Sequence, residues 1–243
     1  MATRSDVPTI VAELDGNLRA LARTDFDAEF LQRYLGRERP ALGLKNDETR
    51  AIAKAIRKQH GTLSAQEWIA VLDALYAGET YEHRVLAGMM LADNKALRQA
   101  VAPTPFGKWI VALQGWAEID SSCASTWTGE EMLVRWAEWQ PFLHTASLDP
   151  NISLRRGSLV LLCKPVHSSA DSRLSDQAFA NISALQHERE ILITKAISWL
   201  LRDLVRYHAE EVAAYLDANH ATLPAIALRE TRNKLRTGTK SGK

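Results

Sequence analysis

Ser64-Ala-Gln-Glu67-Trp68-Ile-Ala-Val71-Leu72-Asp-Ala-Leu75-Tyr76 carries both halves of an amphipathic helix signature. Ser64 and Glu67 form a capping box, in which the hydroxyl and the carboxylate satisfy each other's free backbone N–H groups. Behind them Trp68, Val71, Leu72, Leu75 and Tyr76 recur at i, i+3, i+4, i+7 and i+8, which places them on one helical stripe. The same grammar returns along the chain. Thr128-Gly-Glu-Glu131 is a second capping box, Asn46-Asp-Glu can cap another helix, and Pro224 suits a first helical turn. No segment shows the sustained alternation and Asn-Gly turns of paired strands. The reading is about twelve helices, at roughly 6–22, 25–35, 46–60, 64–77, 79–92, 94–101, 106–120, 129–139, 150–163, 172–184, 188–207 with 208–219, and 224–236.

The connections are short, so consecutive helices should pack antiparallel. Paired helices recur about every 35–45 residues, the spacing of HEAT-like repeats. The expected fold is therefore all-α, a curved superhelical stack of antiparallel helix pairs whose concave face suits a long ligand. A single domain is expected over residues 1–236, followed by a disordered polar tail at 237–243.

Composition agrees with a globular chain. Of 243 residues 46% are hydrophobic and 24% charged, which excludes a collagen, a disordered protein or a disulfide scaffold. Met1-Ala-Thr-Arg-Ser has no apolar core, and the longest apolar run, residues 159–163, is far too short to span a membrane. A cytoplasmic protein with two buried free thiols, Cys123 and Cys163, is the expectation. The seven histidines make no i, i+3 or i+4 pair, so no metal site or other cofactor is expected. HExxH, GxSxG and Gly-rich phosphate loops are likewise missing from the sequence.

The formal net charge of +1 conceals an asymmetry: residues 1–60 carry +2, 61–149 carry −6, 150–194 carry +1 and 195–243 carry +4. Basic ends could grip a polyanion in spite of the neutral total, although solvated helix faces would give the same count. Three helices hold residues that do not suit a plain core. Lys195, Trp199, Arg202 and Arg206 share a stripe in the 188–207 helix, so three cations surround an indole. Such a stripe suits phosphates and a sugar or base, or simply a solvent face. Trp109, Leu113, Trp116 and Asp120 share another in the 106–120 helix, where the carboxylate must be paired or face a cleft. Arg156 shares a stripe with Ile152, Leu159, Val160 and Cys163, and an inward arginine needs an anion.

These residues also carry a family likeness. The sequence resembles the AlkD-like DNA alkylation-repair glycosylases, which are HEAT-like all-helical proteins. The matching pieces are Tyr34-Leu-Gly with Leu42-Gly-Leu-Lys45, Trp116-Ala-Glu-Ile-Asp120, Asn151-Ile-Ser-Leu-Arg-Arg156, Lys195-Ala-Ile-Ser-Trp199-Leu-Leu-Arg202 and Leu228-Arg-Glu230, in the family's order. The resemblance implies that Asp120 is the catalytic aspartate. It implies that Trp116 and Trp199 are the two tryptophans lining the lesion, that Arg156 contacts DNA, and that Tyr34 lies at the pocket's edge. Two positions depart from the pattern: Ser153 stands in place of a tryptophan and Ser198 in place of a glycine. The resemblance thus implies a monomeric N-glycosylase for alkylated purines in double-stranded DNA, nucleoid-associated in action, that need not swallow the base. Lys195, Arg202 and Arg206 are the candidate phosphate contacts, with Arg50, Lys54, Arg57 and Lys58 behind them. A non-catalytic binder of distorted or branched DNA and a protein–protein scaffold remain as alternatives.

Overall fold

The computed structural model describes residues 6–36 and 38–243. The chain divides into two compact units, residues 1–122 and 123–243. Among the described residues all regular structure is helical, as the sequence predicts, and no helix is long and apolar enough to cross a membrane.

The first unit holds α1 (Val7–Ala20), α2 (Ala28–Leu35), α3 (Asn46–Gln59), α4 (Ala65–Ala77), α5 (Tyr81–Ala92), α6 (Lys95–Ala100), α7 (Pro103–Val111) and all but the last residue of α8 (Gly115–Cys123). The capping box that starts α4 is formed: Ser64 N donates to Glu67 Oε2 at 2.8 Å, and Glu67 N donates to Ser64 Oγ at 3.3 Å. All five residues of the stripe read from the sequence are buried. They pack with Leu14, Leu18, Ile52, Ile56, Leu86 and Leu91 into a core where truncating one leucine costs about 2–5 kcal/mol.

α5 lies at the centre of this core and is buried almost all round. Its buried polar side chains are therefore partnered: His83 meets Thr80 Oγ1 at 2.7 Å and Asp15 at 3.1 Å, and Arg84 donates to the Gly78 carbonyl. Glu82 accepts from Leu42 N at 2.8 Å and Gly43 N at 2.9 Å, which holds the connection between α2 and α3 against α5.

The second unit holds α9 (Gly129–Val134), α10 (Trp136–Ser147), α11 (Ile152–Ser168), α12 (Ser172–Leu185), α13 (Ile191–Ala218) and α14 (Ala225–Thr237). α11 is the central helix, with α10, α12 and α13 packed around it and α14 packed on α13. The expected junction between 207 and 208 is a kink at His208, whose φ of −128° and ψ of 37° are not helical.

Two expected helices are divided. The segment read as 129–139 breaks at Arg135 into α9 and α10. The segment read as 106–120 breaks into α7 and α8: α7 ends at Val111, and Gly115, which opens α8, sits at a φ of +63° in the left-handed region. A Cβ there would lie 1.9 Å from the Leu35 carbonyl oxygen, so the end of α2 presses on the backbone where the helix would have continued.

Candidate functional site

The break corrects the stripe expected on residues 106–120. Trp109 belongs to α7, stacks on Tyr76 at 4.8 Å and donates its indole N–H to Asp73 at 2.6 Å. It is a core residue. Trp116 and Asp120 stay together, one turn apart on α8 and both partly exposed.

The orientation of Trp116 follows from the end of α2. Its indole N–H donates to the Tyr34 carbonyl oxygen at 2.7 Å, and its ring meets the Tyr34 ring at 5.5 Å and 87°. A third element pins this arrangement. Glu118, fully buried, accepts from Arg39 Nε at 2.9 Å and from Gln114 N at 2.8 Å. Arg39 also donates to the Ala112 carbonyl at 2.8 Å, while Gln114 Oε1 accepts from Glu38 N at 3.1 Å and Arg39 N at 3.3 Å. The chain after α2 is thus fastened to the turn between α7 and α8.

Burial raises the Glu118 pKa, and the Gln114 N–H, Arg39 and Arg84 oppose that rise. Burial likewise lowers Arg84 to about 10, with Arg39 adding to the shift and Glu118 countering it. Sequence reasoning misses Glu118, because its position between Trp116 and Asp120 carries no local sign that it faces inward.

In the second unit Arg156 is buried, at 4% exposure, and its guanidinium donates to the Leu192 carbonyl at the start of α13. Its neighbour Arg155 pairs with Glu188 at 2.7 Å and donates to the Asp149 and Pro150 carbonyls. The expectation of an inward Arg156 matches this geometry. One acceptor for Arg156 is a carbonyl oxygen, a neutral group where the sequence reading expects an anion.

Lys195 and Arg206 are exposed and Trp199 is half-buried on α13. Arg206 donates to His167 Nε2 at 2.8 Å and lies over the Tyr207 ring at 5.3 Å. Arg202 is committed elsewhere: it pairs with Glu230 of α14 and donates to Ser198 Oγ at 2.6 Å, while Ser198 Oγ donates to Glu230 at 2.8 Å. Ser198 therefore ties α13 to α14.

Sequence reasoning also misses one acid beside this stripe. Asp203 follows Trp199 by one turn, the same Trp-x-x-x-Asp spacing as Trp116 and Asp120. Burial raises its pKa, against His167, Arg202 and hydrogen bonds from the Trp199 indole and the Cys163 thiol. His167 Nδ1 lies 3.4 Å from its carboxylate. The repeated spacing is the signal that could have found it.

The family model described as DNA alkylation repair enzyme matches residues 15–235, nearly the whole chain. The chain belongs to this DNA alkylation repair family. It is also similar in fold to a solved structure described as a predicted DNA alkylation repair enzyme from Enterococcus faecalis. That likeness has a TM-score of 0.72 at 18% identity, covering 89% of this chain and 98% of the other. None of the curated proteins matches the chain.

Proposed function

We propose that the protein is a DNA N-glycosylase that releases positively charged alkylated purines, of the 3-methyladenine and 7-methylguanine type, from duplex DNA bound by a monomer. In such a lesion the base already carries the positive charge. When the C1′–N bond breaks, its electron pair leaves with the base, which becomes neutral, and the charge passes to the deoxyribose. Water adds to C1′ and loses a proton, which leaves an abasic site. The base needs little acid assistance; the sugar needs a negative environment where it turns cationic.

The observation that carries this reading is the pairing of Trp116 and Asp120 on α8: a carboxylate and an indole of fixed orientation, both reachable from solvent. A carboxylate about 4 Å from the sugar, at an effective dielectric of about 20, supplies on the order of 4 kcal/mol. At about 1.4 kcal/mol per tenfold, that is at most about a thousandfold in rate. The indole face of Trp116 adds about 0.5–2 kcal/mol by cation–π contact. Asp120 also orients the attacking water in this scheme, and Tyr34 borders the sugar.

Lys195 and Arg206, both exposed, are the proposed phosphate contacts, and their grip is independent of sequence; Arg202 joins them only by exchanging Glu230 for a phosphate, and Arg156, buried, acts by holding the start of α13 in place. Incubating the protein with methylated duplex DNA and separating the released bases by chromatography tests the proposal. Release above the spontaneous rate, abolished or strongly slowed in Asp120→Asn, is expected. Absence of release rejects the enzyme and leaves a DNA-binding member of the family.

A further inference from the structure

α2 is a helix of eight residues with one buried side chain, Leu35. Its two aromatic rings face outward: Phe30 is 57% and Tyr34 59% exposed. One turn apart, they lie parallel, with centroids 5.8 Å apart and planes 7° apart. Scattered exposed apolar residues are ordinary, but two adjacent aromatic side chains left in water forgo the burial that usually justifies them.

Of the two rings, that of Tyr34 touches the rest of the unit, edge-on against Trp116. α2 is held from its C-terminal end, by the Tyr34 carbonyl on the Trp116 indole, by the Leu35 backbone on Gly115, and by Arg39 and Glu118 just beyond. Backbone and ion-pair contacts hold the helix, and both rings keep more than half of their surface in solvent, which leaves a face open to a ligand.

The chemistry of that ligand follows from the geometry. A parallel pair of rings offers flat π faces, which nucleobases stack on without regard to sequence. Arg33, exposed and placed between the two rings in sequence, adds a cation for phosphate contact or further stacking. Through Tyr34 and Trp116 the rings are continuous with the α8 face that carries Asp120.

We propose that Phe30 and Tyr34 form a stacking ledge for an unpaired nucleobase of the DNA on which Asp120 acts. The ledge rests on the reading of this chain as a DNA-acting enzyme, and it adds Phe30 as a residue that selects for locally unpaired substrate.

Duplexes carrying 2-aminopurine, either paired or in a one-nucleotide bulge, test it, because stacking quenches this base's emission. The wild-type protein should quench the bulged probe. Phe30→Leu keeps an apolar side chain but removes the π face. It should restore at least half of the emission and weaken binding of the bulged duplex by about tenfold. Its binding of the paired duplex should change less than about twofold. Unchanged melting would show that the variant folds.

Equal quenching by wild type and by the Phe30→Leu, Tyr34→Leu double variant would overturn the ledge, as would no quenching at all. Concentration-dependent self-association abolished by Phe30→Leu would also overturn it, since the face would then join two copies of the chain. Base release from methylated DNA, measured on the same preparations, separates this proposal from the glycosylase reading. Phe30-dependent quenching without release keeps the ledge and rejects the enzyme; release with Phe30-independent quenching does the reverse.

Discussion

The indole N–H of Trp116 donates to the backbone carbonyl oxygen of Tyr34, 82 residues away in the chain, at 2.7 Å. Because the acceptor is main chain, this bond depends on where α2 ends, and the edge-on Tyr34 ring adds a second contact to it. Gly115 makes this approach possible, and nothing larger fits between α8 and the Leu35 carbonyl.

Gly115→Ala should therefore be among the more damaging single substitutions in the first unit. It places a Cβ 1.9 Å from a carbonyl oxygen and forces a residue with a side chain to a φ of +63°. Backbone strain of this kind costs about 1–3 kcal/mol, and the clash adds to it. Thermal melting should show a drop of several degrees. Melting unchanged from wild type would mean that the turn after α7 can relax.

That contact also marks the boundary of what is legible in the sequence. The helices with local punctuation, such as α4 with its capping box and α13 with its junction near His208, are readable from neighbouring residues alone. The split between α7 and α8 is not. Residues 106–120 have acceptable helical periodicity, and the groups that hold the turn at 112–115, the Leu35 backbone, Glu38 and Arg39, come from a distant stretch of the chain. Glu118 is hidden for the same reason: its partners Arg39 and Arg84 come from other parts of the chain. The Trp116–Asp120 pair is readable in spite of the split, because both residues fall on the same side of the break.

Acid stability should report on Glu48. Its carboxyl is held at about 2, below the usual 4.5, by hydrogen bonding from Arg23 and from Lys45 N, which outweighs burial. A carboxylate with a lowered folded pKa contributes stability that is complete above its unfolded value and is lost as pH falls through the folded one. The window is thus about pH 4.5 down to about pH 2. Urea midpoints of wild type and Glu48→Gln should differ at about pH 6, above that window, and converge towards about pH 2. A gap that stays constant over that range would show that Arg23 does not set the titration.

The cations on α13 should separate by their present partners. Arg202 is balanced by Glu230 and fastened to Ser198, whereas Lys195 is exposed. Each phosphate contact contributes about 0.9 to the slope of log affinity against log salt. Lys195→Ala should reduce that slope by about one. Arg202→Ala should change the slope less and instead lower stability, because it leaves Glu230 without its ion-pair partner beside Ser198. A larger slope change for Arg202 would mean that DNA displaces Glu230 from it.

The two Trp-x-x-x-Asp pairs give the sharpest kinetic comparison, because they place the same residue types at the same spacing in different surroundings. Asp120 belongs to the α8 face proposed to meet the sugar. Asp203 is turned to groups of its own unit, with His167 Nδ1 at 3.4 Å and the Trp199 indole and Cys163 thiol as donors. Removing the charge at Asp120 deletes an attraction that acts on the cationic sugar, so Asp120→Asn should slow base release by up to about a thousandfold with little change in DNA affinity. Asp203→Asn keeps an acceptor for the Trp199 indole, so the fall should stay within about tenfold, one hydrogen bond being worth about 0.5–1.5 kcal/mol. Single-turnover rates on methylated duplex DNA, with both variants saturated, measure the difference. If Asp203→Asn proves the slower enzyme, the carboxylate that faces the sugar is the one on α13, and the assignment of Asp120 is wrong.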